Sequence, residues 1–162
     1  MRLLTAIMFS SFLLFSCATQ KQQKWGDGWI DVAVIEGMEN YVDTTSIVYK
    51  DGLCHAWVKT VYTTDSARLR YKDKIVNSYK ERTNEVQKKI KKWQDFKYNI
   101  SYRICDCANK RYRTVDIIDY TSDGKEIVHT KPDDKKPANW VNVGIDTMGD
   151  HLLYFICDFH AP

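Results

Sequence analysis

The chain lacks a long apolar run, a large charge of either sign and a catalytic signature. Leu3 to Phe15 carries no charge, but it is only 13 residues long. As a helix it would cover about 20 Å, against about 30 Å of bilayer hydrocarbon, so a membrane-spanning helix is the weaker reading. The formal net charge of +3 argues for no polyanionic partner unless charge is clustered. G-x-S-x-G, P-loop and G-x-G-x-x-G patterns are all missing, and no nucleophile–base pair can be picked out. Asp150-His151 is a lone dyad, more often a helix start than a catalytic pair. A metal site would want C-x2-C pairs or histidines at ligand spacing, whereas Cys105-Asp106-Cys107 is C-x-C and His55, His129, His151 and His160 are scattered. The thioredoxin-like C-x-x-C is missing too. Internal repeats and low-complexity tracts are lacking. These absences point to a protein that is not an enzyme and needs no cofactor.

What is present is apolar material for one core: 44% hydrophobic and 13% aromatic residues in 162. The first 16 residues are set aside as a signal peptide, with Arg2 as the positive end and Leu3 to Phe15 as the apolar region. Leu14-Phe15-Ser16-Cys17 resembles the lipobox of bacterial lipoproteins, although Phe15 is bulkier than usual there. The resemblance implies diacylation of the Cys17 thiol, cleavage before it and often acylation (palmitate) of the new N-terminus. Two or three chains, at about 0.8 kcal/mol per buried methylene, hold a protein firmly where one does not. Residues 17–24 are then a lipidated polar tether, and 25–162 a single α+β domain. The address is the bacterial envelope, first of all an outer membrane facing the periplasm, with surface exposure open. Export also disfavours nucleic acid as a partner.

With Cys17 removed, Cys54, Cys105, Cys107 and Cys157 form an even set in an exported chain, which favours disulfides. Cys105 and Cys107 share one face of a strand-like run, so a bridge between them would be strained. The two other pairings join each of them to Cys54 or Cys157, and the residues alone leave both open.

Along the domain, Trp29 to Ile35 is β-branched and bounded by Gly28 and Gly37, a strand. Tyr41-Val42-Asp43 and Ile47-Val48-Tyr49 are short extended pieces, Asp51-Gly52 is a turn, and "LCHAWVKTVY" (53–62) alternates as a strand. Ser66 to Lys97 contains no Gly or Pro, and Leu69, Val76, Tyr79, Val86, Ile90 and Trp93 fall on one helical stripe. That predicts a helix of about 25–30 residues, capped at Asp65 or Ser66 and packed on the sheet. Tyr98 to Cys107 and Arg111 to Tyr120 are strands joined by a hairpin-length loop, followed by Lys125 to Thr130 and, after a polar loop, Trp140 to Val143. Residues 147–158 are ambiguous, with Gly149-Asp150 a candidate cap for a last helix. Hairpin-sized connections around one helical insertion predict an α+β antiparallel β-sheet with one long inserted helix and a C-terminal helix.

Charge is clustered in that insertion. Residues 66–97 hold eleven Lys or Arg against four acids, a net +7, while the rest of the chain from Cys17 onward is near −5. Lys88, Lys89, Lys91 and Lys92 are the candidate binding surface for an acidic partner, a glycan or anionic lipid; the plain alternative is a solvated helix face.

In this order the chain resembles the surface-adhesin protein E family of small bacterial lipoproteins. Tyr41-Val42-Asp43 with Ser46-Ile47 and the Trp57 strand carry the likeness first. Asp106-Cys107 with Lys110-Arg111-Tyr112-Arg113 follows, then Gly124-Lys125 after the Tyr120 strand, Trp140 and a last Cys157. The pattern covers roughly residues 25 to 158 with diffuse motifs. It implies an antiparallel sheet, a C-terminal helix and a Cys107–Cys157 bond tying them, leaving Cys54 and Cys105 as an extra pair. Some members bind host matrix proteins, so the resemblance implies a non-enzymatic binding or adhesion module with a protein or glycan ligand. The long basic helix departs from the family pattern. It supplies the alternative, a periplasmic assembly or scaffold factor docking through residues 66–97.

Overall fold

A computed structural model of the protein describes residues 27–78, 88, 90–131 and 137–159. The signal segment, Cys17, the tether, Trp25, Gly26, the stripe residues Tyr79 and Val86, Lys89 and His160 lie outside the described residues.

Two tight turns start the sheet. β1 (Trp29–Ile35) and β2 (Met38–Asp43) pair antiparallel through Glu36-Gly37, and β3 (Val48–Lys50) and β4 (Leu53–Tyr62) through Asp51-Gly52. Both residues of each turn have positive φ (46° and 79°, 52° and 79°). That turn twists with the strands and places glycine where the left-handed strain is greatest. β2 and β3 both lie along one edge of β4. The corner between them is the Asp43 to Ser46 segment. The Asp43 carboxylate accepts from the Thr45 N–H at 3.0 Å, and Ser46 Oγ accepts from the Trp57 N–H at 2.9 Å where the ladder would otherwise lapse. β5 (Phe96–Asp106), β6 (Arg111–Thr121) and β7 (Glu126–Thr130) extend the sheet on the other side of β4, and β8 (Val141–Asn142) pairs with β6. The result is an eight-stranded antiparallel sheet in the order β1-β2-β4-β5-β6-β7, with β3 and β8 off that path. Among the described residues the sheet carries α1 (Asp65–Ser78), inserted after β4, and the C-terminal α2 (Met148–Asp158), so the fold is α+β.

β4 shows how the sheet divides water from core. Cys54, Ala56, Val58, Thr60 and Tyr62 are buried, while the alternating Leu53, His55, Trp57, Lys59 and Val61 are half-buried. Successive side chains on a strand point to opposite faces, so one face is sealed and the other partly open. Both helices sit on the sealed face. α2 lays Leu152, Leu153 and Ile156 against Val42, Cys54, Ala56, Val58 and Cys105. Thr147 caps α2, its Oγ1 accepting from the Asp150 N–H, so Gly149 and Asp150 lie inside the first turn rather than capping it. α1 covers the far end of β4, where Ala67, Tyr71 and Ile75 meet Tyr62 and Phe96.

The expected helical stripe needs correction. Leu69 is 59% exposed, and the buried face of α1 runs through Ala67, Tyr71 and Ile75 instead. Residues 88, 90 and 91 are helical, but 92–95 turn the chain and β5 begins at Phe96, so the helix does not reach Lys97. Trp93 is buried through that turn. Its indole N–H donates to the Asp119 carboxylate at 2.7 Å, and the Tyr71 hydroxyl donates to the other oxygen at 2.7 Å. Asp119, 3% exposed on β6, thus bolts α1 and its return to the sheet.

The structure joins Cys107, in the turn after β5, to Cys157 on the last turn of α2, a bridge across 50 residues. Cys54 and Cys105, expected as an extra pair, are both buried free thiols. They are register partners on β4 and β5. Directly opposed Cβ atoms in a ladder lie about 4.5–5.5 Å apart, wider than the roughly 3.5–4.5 Å a disulfide prefers. The Cys54 sulfur is also gathered with those of Cys107 and Cys157, all within 4.8 Å of one another.

Candidate binding surface

The open face of the sheet is assembled by register from residues far apart in the chain. Tyr41 of β2 lies opposite Lys59 of β4, Trp57 opposite Tyr102 of β5, and Tyr98 opposite Tyr120 of β6. Trp57 and Tyr102 meet at 5.0 Å between centroids, tilted by 50°, and Tyr98 stacks on Tyr120 at 4.9 Å. Beneath these rings Ile100 and Ile118 are 2% and 1% exposed. The rings therefore roof a second, smaller apolar cluster on a face that carries no helix among the described residues. Aromatic contacts of this kind also hold each other rigid, leaving broad amphipathic surfaces that lose little entropy when covered.

Cations lie among the rings. Lys59 Nζ sits 4.9 Å from the Tyr98 centroid and 5.8 Å from that of Tyr41. At the β6 end, the guanidiniums of Arg111 and Arg113 lie 4.7 and 4.8 Å from the Trp140 ring. Alternation along β6 places these two arginines opposite Tyr112, which packs on the sealed face beneath α2. Each cation–ring contact at a partly exposed site is worth about 0.5–1 kcal/mol and holds the charge in place. Acids are interspersed: Tyr41 donates to Glu39 at 2.9 Å, which raises the phenol's pKa, and Asp116 pairs with His129. Asp106 accepts from Asn109 and from Arg111, both at 2.8 Å, so those bonds hold its carboxyl below the usual range. Burial lowers the His55 pKa, with Lys50 and Arg113 adding to the effect, and this favours a neutral ring beside Tyr102.

The lysines expected to bind partners lie elsewhere. Lys88, Lys91 and Lys92 are exposed at the return from the helical insertion. Lys92 lines a cleft of about 490 Å³ with Asp95, Asp123, Lys125 and Glu126, a rim of mixed charge among the described residues. Among the described residues, Cys54, Cys107 and Cys157 bring three metal-type ligand atoms together, and two of those sulfurs are joined to each other. No described helix is long and apolar enough to cross a membrane.

The fold and this surface define a class: an antiparallel sheet backed on one side by α1 and α2, with an aromatic face that no helix covers among the described residues. The chain belongs to the surface-adhesin protein E family, whose profile matches residues 29–158. Crystal form II of Haemophilus influenzae protein E is similar in fold at a TM-score of 0.50, with 16% identity over 82% of this chain and 89% of that one. A second structure of Haemophilus influenzae protein E gives 0.49 at 16% identity, covering 82% and 86%. Protein E from non-typeable Haemophilus influenzae gives 0.42 at 15%, covering 84% and 76%. No curated protein matches the chain significantly.

Proposed function

We propose that the protein is a non-enzymatic binding module of the bacterial cell envelope, held to a membrane by acyl chains on Cys17, that takes a protein or glycan ligand on the open face of its sheet. The observation that carries the reading is the band formed by Tyr41, Lys59, Trp57, Tyr102 and Tyr98, half-buried side chains on the face opposite both helices. Rigid aromatic rings interleaved with cations resemble the residues that dominate binding energy at protein interfaces. They also suit sugar rings, which stack on aromatics. Family membership supports the surface-adhesin role.

Lys88, Lys91 and Lys92 supply a second reading, docking of an envelope assembly partner, supported by their exposure at the end of a segment of net +7. The two are separable. Saturable binding of the full chain to matrix proteins, glycans or envelope components is expected to weaken about tenfold or more in Tyr102→Ala and Lys59→Ala. It is expected to hold in a variant with Lys88, Lys89, Lys91 and Lys92 neutralised. If no such ligand binds saturably, the adhesion reading is abandoned.

A further inference from the structure

The three sulfurs gathered beneath α2 carry a consequence that is independent of any ligand. Cys54 Sγ lies within 4.8 Å of both sulfurs of the Cys107–Cys157 bridge. It comes from β4, the bridge joins the turn after β5 to the end of α2, and all three residues belong to one core cluster. A structural bridge needs only two cysteines. A buried free thiol within 4.8 Å of it is a third partner whose approach is intramolecular, which makes its effective concentration very high.

We propose that Cys54 is an exchange thiol for this bridge, so that the tie on α2 can pass from the β5 turn to β4. The Cys54 thiolate attacks Sγ of Cys157. The Cys54–Cys157 bond forms as the Cys107–Cys157 bond breaks, and the electron pair leaves on Cys107, which takes up the proton Cys54 gave. Attack on Cys107 Sγ instead forms Cys54–Cys107 and frees Cys157, untying the helix. Neither course changes the count of thiols and disulfides, so no oxidant or reductant is consumed.

Cys105 is the internal comparison. It is as deeply buried as Cys54 (1% against 3% exposed) and is its register partner, yet its sulfur is not part of the gathered group. Burial pushes the Cys105 thiol up to about 12, further helped by Cys54 and opposed by Arg103, whereas Cys54 is raised by burial alone. Among the described ionisable groups near Cys54, Tyr49 is its register partner on β3, Arg103 and Cys105 lie on β5, Tyr112 belongs to the same core cluster and Asp158 ends α2. The thiolate is therefore scarce at neutral pH, and exchange runs faster as pH rises.

The test uses the full chain, purified without reductant, incubated at about pH 8.5, quenched in acid and peptide-mapped under non-reducing conditions. Wild type is expected to accumulate Cys54-linked isomers. Cys107→Ser and Cys157→Ser, oxidised with glutathione disulfide, are expected to form Cys54–Cys157 and Cys54–Cys107 respectively, each about tenfold or more over any Cys105-linked product. Folded variants whose Cys54 stays free, or which pair through Cys105, overturn the proposal. If a variant fails to fold, wild type decides: the absence of every Cys54-linked peptide after incubation overturns it equally.

Discussion

Asp119 offers the sharpest test of how α1 is held. Its carboxylate is 3% exposed and accepts two hydrogen bonds, from Tyr71 and from the Trp93 indole, each at 2.7 Å. Replacing it with alanine leaves both donors buried without acceptors. An unsatisfied buried donor costs about 1–3 kcal/mol, and relief of a buried carboxylate returns part of that, so Asp119→Ala is expected to lose about 3 kcal/mol. Asp119→Asn keeps the volume and one acceptor and should lose about half as much. The pH dependence fixes the sign. Burial raises the Asp119 pKa above 3.8, against the pull of its two hydrogen bonds. A carboxyl that binds its proton more readily when folded adds stability that is full below the unfolded value and is lost as pH rises through the folded one. The gap between wild type and Asp119→Ala should therefore widen on acidification from neutrality. Urea unfolding followed by tryptophan emission at several pH values measures it. Equal midpoints, or a gap that narrows toward acid, would refute the account of this bolt.

Removing the bridge together with its proposed substitute, in Cys54→Ser/Cys107→Ser, opens a loop of 50 residues and should cost about 4 kcal/mol by chain entropy, measured by denaturant midpoint. Gly37 and Gly52 share φ of 79°, but a Cβ at Gly37 would lie 2.3 Å from Thr64 Oγ1, while at Gly52 the nearest atom is 4.0 Å away. Gly37→Ala should therefore lower the melting temperature clearly more than Gly52→Ala, and equal losses would count against the contact. The Asp106 pKa is lowered, chiefly by Asn109 and then Arg111, so its contribution is present above 3.8 and is lost as pH falls through the folded value. Asp106→Asn should be less stable at pH 7 and lose less on acidification, read from thermal melts. Ile156, fully buried between α2 and the sheet, should cost about 2–5 kcal/mol when cut to alanine.

The strands were legible in sequence where alternation and turn chemistry agreed. "LCHAWVKTVY" is β4, and Asp51-Gly52 is its turn. The helical insertion was legible as a helix but not in its facing. Leu69 and Val76 attract attention as large apolar residues, whereas the residues that pack are Ala67, Tyr71 and Ile75. Alanine is small and tyrosine amphipathic, so that face is quiet on a hydropathy scale. Asp119 looks like any polar strand residue until Tyr71 and Trp93, 48 and 26 residues away, are brought to it. The open-face band was hidden for the same reason. A lysine run such as 88–92 is visible in one dimension, while Tyr41, Lys59, Trp57, Tyr102 and Tyr98 become neighbours only through strand register. Cys54 and Cys105 illustrate the limit of counting: even numbers suggest pairs, but ladder spacing and the direction of one sulfur decide them.

The central claim is that ligand meets the aromatic face of the sheet opposite α1 and α2. Photo-crosslinking in intact cells tests it directly, with a photoreactive residue placed in turn at Tyr102 on that face, at Lys88 on the basic insertion and at Leu69 on the exposed side of α1. The account predicts a discrete crosslinked partner from position 102 and none from 69. A partner captured from 88 alone would contradict it and favour docking through the basic insertion.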